Sequence, residues 1–153
     1  MAYATWTEVK VFLPPDSQDS PALQTQAGDL LQPAYRHINA RLGERYVTPI
    51  VLADSPNAYA WATDVHAKLV AGQSLVAVRA LQGEEGEATW YADRLIKDAE
   101  DALTAAVAGT INLSDAVDST DDGGEFRVTD GYSDLTSTEQ GYIAPWFKRS
   151  DTW

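Results

Sequence analysis

The chain has 153 residues, of which 44% are apolar, and its formal net charge is −12. That length supports one domain with its own core, and no apolar run approaches the roughly 20 residues of a membrane span. The charge argues against general nucleic-acid binding, which needs Lys and Arg to neutralise phosphates, and the absence of cysteine removes disulfides, thiolate zinc sites and cysteine nucleophiles.

The opening residues, MAYATWTEVK, lack the basic start and apolar core of a secretory signal, so no export is expected. Thr5-Trp6-Thr7-Glu8 fits a capping box and predicts a short helix to about Leu13, ended by Pro14-Pro15. Residues 16–20 read as a loop. From Pro21, Leu23, Ala27, Leu30, Leu31, Ala34, Ile38 and Leu42 fall near one helical stripe, with a kink or restart expected at Pro33. Gly43 and Pro49 mark an extended exit.

Ser55-Pro56 reads as a cap followed by proline at the first helical position. Ala58, Tyr59, Ala62, Val65, His66, Leu69 and Val70 form the apolar side of this third helix, with Gly72 a candidate stop. The segment SLVAVRAL fits either a continuation or a short strand. A fourth helix over 87–108 carries Trp90, Tyr91, Leu95, Ala99, Ala102, Leu103, Ala106 and Val107 at spacings of three and four. Trp90 and Tyr91 are therefore expected in the core, while Trp61 lies beside its helix stripe and fits either the core or a contact surface. Gly109 closes the fourth helix.

Beyond Gly109 the chain turns polar and acidic, with at most a short strand at EFRVT. The expected fold is mainly α, a small bundle of about four helices over 1–109. A mostly irregular acidic linker and aromatic arm then occupy 110–153.

The residues for chemistry are sparse. His37 falls on a polar face and His66 near a packed one, and neither belongs to an H-x-x-x-H or H-E-x-x-H pair. Asp115, Asp118, Asp121, Asp122 and Glu125 invite a calcium reading, but starting the loop at Asp118 puts Thr129 where the bidentate Glu belongs. A solvated acidic linker is the plainer account. With no phosphate-binding glycine loop and no G-x-S-x-G, neither an enzyme nor a cofactor is expected.

The arm differs in kind. Tyr142, Ile143, Trp146, Phe147 and Trp153 cannot form a core alone, and in water they would make an aggregation-prone patch. Either they fold back onto the helices or a partner buries them. Lys148-Arg149, the one adjacent basic pair, gives the segment the composition of an interface anchor, which favours docking on a partner over fold-back.

Taken in order, these segments resemble the head-tail connector proteins of tailed phages, also called adaptor or head-completion proteins. The resemblance lies in MAYATWTEVKVFLP, in AYRHINARLGERYVTPI with Ile38, Leu42, Gly43, Arg45, Tyr46 and Pro49, and in the Ala-rich NAYAWATDVHAKLVAG. It implies a structural virion subunit at the neck, present in the host cytoplasm before assembly. It also implies a ring, commonly of twelve copies, between the portal and the tail or a stopper protein. DNA would pass its lumen without specific binding, and no membrane is involved. Another neck or tail-completion subunit, or a non-viral helical binding module, fits the same residues.

Overall fold

The computed structural model describes residues 2–82 and 87–119, and among them four α-helices make up the architecture. They are α1 (Trp6–Val11), α2 (Pro21–Leu42), α3 (Pro56–Gln82) and α4 (Glu87–Val107), with a 3-10 turn at Pro15–Ser17. No described helix is long and apolar enough to cross a membrane.

The helix ends follow local chemistry. At α1 the capping box is present: the Glu8 carboxylate reaches back to accept the Thr5 N–H and its hydroxyl at 2.5 and 2.7 Å. Ser20 caps α2 by accepting from the Leu23 N–H.

Pro33 does not restart α2, which is one element of 22 residues. Leu23, Ala27, Ala34, Ile38 and Leu42 are buried on both sides of the proline. Pro33 and Asp29, whose carbonyl loses its usual donor, are exposed, so water can satisfy that carbonyl. Continuous burial of the stripe outweighs one missing hydrogen bond.

Gly72 is likewise no stop. A Cβ there would lie 2.7 Å from Ile96 Cγ1 and 2.8 Å from the Ala92 carbonyl oxygen. The glycine lets α4 pack directly on the backbone of α3, and α3 runs on through SLVAVRAL as helix, removing the strand alternative.

Cross-contacts set the directions of the three long helices. His66 of α3 bonds the carbonyl of Leu31 in α2, while α2 ends and α3 begins at the same end of the bundle, so the two are antiparallel. α4 starts soon after α3 ends and still meets Gly72 through Ala92 and Ile96, so it runs back along α3, antiparallel to it. Their shared core includes Ile38, Leu42, Leu69, Leu75 and Leu103, all nearly or fully inaccessible.

The compact unit extends to Ser119, ten residues past the expected boundary at 109. Leu113 is buried in the core. Among the described residues a single antiparallel bridge, Tyr46 with Asp118, joins this segment to the α2–α3 connection. Residues 110–119 are therefore part of the body and not a solvated linker. The strand expected at EFRVT lies outside the described residues.

Candidate functional site

Two buried polar groups hold the N-terminal segment against the bundle. The Ala4 N–H donates to His66 Nδ1 at 2.9 Å, which leaves Nε2 protonated to donate to the Leu31 carbonyl at 2.9 Å. One neutral imidazole thus ties three elements together. Burial pushes its pKa below the ordinary value.

Tyr3 does the same one residue earlier. Its hydroxyl donates to Asn39 Oδ1 and accepts from the Ile50 N–H at 3.0 Å, and its ring packs against Tyr35, Tyr59 and His66. Burial first, opposed by the Ile50 N–H, pushes its pKa up to about 12. Every buried side-chain polar atom among the described residues has a partner, so these groups act as anchors with their bonding capacity already used.

His37, expected on a polar face, is exposed and pairs with Glu100 at 2.8 Å, linking α2 to α4. Asp115 and Asp118, the first members of the acidic cluster, have specific structural work. Asp115 accepts the N–H groups of Asn57 and Ala58 at 2.6 and 3.0 Å, and its carbonyl accepts the Ser55 hydroxyl at 2.6 Å. The cap of α3 therefore comes from a residue distant in sequence, with Ser55 turned to hold it. Asp118 pairs with Arg45 Nε at 3.0 Å. Asp121, Asp122 and Glu125 lie outside the described residues, among which no group of three or more His, Asp or Glu side chains is arranged to hold a metal ion.

Arg45-Tyr46 closes the bundle. The Tyr46 hydroxyl reaches the Ala106 carbonyl at 3.4 Å from a buried position. The guanidinium of Arg45 stacks over the Tyr46 ring and lies against Gly109. The Arg45 carbonyl accepts both the N–H and the hydroxyl of Ser119, at 2.6 and 2.7 Å. Next to it the Val47 N–H donates to the Val117 carbonyl at 2.8 Å.

What this clasp presents to solvent is apolar. Val47, Val51, Leu52 and Val117 are 55, 48, 58 and 64% exposed, and all four belong to the two segments that the clasp joins. A second apolar surface is an open groove of about 260 Å³ between α1 and α3, floored by Phe12, Ala60 and Ala67 with exposed Val11 beside it.

Trp90 corrects a sequence expectation: it is 64% exposed, with the Arg94 guanidinium over its ring. Among the described side chains of α4 the buried stripe takes in Ala92, Leu95, Ala99, Leu103 and Ala106. Trp90 stands about 200° around the helix from Ala92. Tyr91, by contrast, is half-buried and donates to the Phe12 carbonyl, and Trp61 packs against the core.

The proposed partner-binding residues Tyr142, Ile143, Trp146, Phe147, Lys148, Arg149 and Trp153 lie outside the described residues. Compared with protein-family models, curated proteins and solved structures, the chain matches none. The described part is a helical body whose polar interior is fully engaged and whose surface carries aliphatic contact area.

Proposed function

We propose that this protein is a head-tail connector subunit of a tailed phage, a structural component without turnover. Its copies form a ring between the portal and the tail or stopper, through which DNA passes. Residues 126–153 extend to the portal or a neighbouring subunit and bury Tyr142, Trp146, Phe147 and Trp153 there.

The observation that carries the reading concerns the stretch on which the resemblance rests. Arg45 and Tyr46 form the clasp that closes the bundle, and beside it four aliphatic side chains stand in solvent. Such a cluster suits a subunit completed by its neighbours. Each buried aromatic of the arm contributes about 1.5–3 kcal/mol before ordering costs, and repetition around a ring strengthens the joint through avidity. The net charge of −12 suits a lumen that repels the DNA backbone.

The test is the mass of the assembled species, by native mass spectrometry, with and without a portal ring. Portal rings that gain a stoichiometric set of subunits support the assignment. A portal ring of unchanged mass in the presence of excess protein refutes it.

A further inference from the structure

We infer that the aliphatic end of the bundle, formed by Val47, Val51, Leu52 and Val117, is the seat for the segment Trp146-Phe147-Lys148-Arg149 of a second copy of this chain. The inference rests on the reading of the C-terminal segment as a docking element, and is independent of whether the other partner is a portal.

Three observations converge on that occupant. The first is apolar area. Four aliphatic side chains, each about half exposed or more, share the end where α2 stops, α3 starts and α4 stops. The Val47–Val117 backbone bond holds the two contributing segments side by side. Aromatic rings are the side chains that cover such an area at low ordering cost.

The second is charge. Glu44, Asp54, Asp115 and Asp118 stand at this end of the chain path against Arg41 and Arg45; the arginines pair with Glu44 and Asp118, and Asp115 is bonded to the Asn57 and Ala58 N–H groups, so four acids against two bases leave a formal charge of −2. The local field is acidic, whereas the only adjacent cations in the chain, Lys148-Arg149, directly follow Trp146-Phe147. A segment with rings first and cations next matches an aliphatic patch on an end of net negative charge.

The third is reach. Ser119, the last described residue, is bonded to Arg45 beside the patch, and 27 residue steps lead from it to Trp146. Extended, that length spans up to about 90 Å, against a body diameter of about 35 Å for a domain of this size. The segment is long enough to cross to the next molecule. Patch and segment are different surfaces, so the contact is head-to-tail, the geometry that closes rings or grows chains.

The test uses full-length protein, without portal, in sedimentation velocity over a concentration series. One variant carries Leu52→Asp and Val117→Asp, the other Trp146→Ala and Phe147→Ala. All four positions lie outside the buried core or outside the described body, and circular dichroism melts confirm that the helices persist. The expected result is concentration-dependent association of the wild-type chain, and at least a tenfold weakening in either variant alone. A 1:1 mixture of the two variants then forms a dimer and goes no further, because only one intact seat and one intact segment can meet. Lys148→Glu with Arg149→Glu weakens wild-type association about tenfold. A monomeric wild type at all concentrations overturns the proposal, as does a mixture that stays monomeric. Association that survives the segment variant but not the patch variant also overturns it, in favour of patch-to-patch pairing. Loss of portal binding with intact self-association would count against the connector assignment alone.

Discussion

The guanidinium of Arg45 fills the space that a side chain on Gly109 would need: a Cβ there would lie 2.0 Å from Arg45 Nη1. Gly109 also has φ of +77°, the left-handed conformation that ends α4 and turns the chain back toward Arg45. Backbone and clasp thus impose the same residue.

Gly109→Ala is expected to lower stability by about 1–3 kcal/mol, combining the left-handed strain with displacement of Arg45. Gly28 offers the contrast. It sits exposed within α2, and nothing lies within 4 Å of an added Cβ, so Gly28→Ala should stabilise by about 0.5–1 kcal/mol through helix propensity. Urea unfolding followed by far-ultraviolet circular dichroism measures both. Equal effects at the two glycines would contradict the assigned role of Arg45.

The capping of α3 by Asp115 gives a second expectation. Asp115→Ala strips the acceptor from the N–H groups of Asn57 and Ala58 and should cost about 1–2 kcal/mol. Asp115→Asn keeps an acceptor oxygen and should cost less. Amide hydrogen exchange at the start of α3 should quicken in the alanine variant, and unchanged protection there would show that the cap is not what orders that turn.

The neutral His66 predicts a pH response. Its pKa is lowered in the folded state, so between its unfolded value near 6.5 and the lower folded value the unfolded chain binds the extra proton. Stability from this group is complete above about pH 6.5 and declines as pH falls through the window below it. His66→Phe should remove that part of the slope in melting temperature. At pH 8 it should cost about 1–3 kcal/mol, because the Ala4 N–H and the Leu31 carbonyl lose their partner. A variant whose slope matches wild type between pH 5.5 and 6.5 would locate the titration elsewhere.

Local structure is legible in the sequence where one segment carries the whole cause. The Thr5–Glu8 capping box and the closure of α4 before Gly109 each depend on residues a turn apart. Trp90 lies five residues before Leu95 and nine before Ala99, about 140° and 180° around the helix, so the face that buries those two turns its ring outward. The contact with α3 at Gly72 takes Ala92 and Ile96 and leaves the large ring outside. Of the proposed docking surface, the aromatic segment stood out in sequence as rings with no core of their own, whereas Val47, Val51, Leu52 and Val117 gave no signal. Isolated aliphatics in loops look alike whether they end up buried or exposed.

By itself the sequence determined a helical body, the capped start of α1, the end of α4 before Gly109, and the position of an aromatic-basic segment at 142–153. Those properties follow from periodicity, capping chemistry and composition, which act over a few residues. Only the tertiary structure decided that Gly72 is a point of helix contact, that Asp115 caps a helix begun 59 residues earlier at Pro56, and that residues 110–119 belong to the body. Each depends on residues distant along the chain meeting in space, and no local pattern encodes which carbonyl, amide or ring will be waiting there.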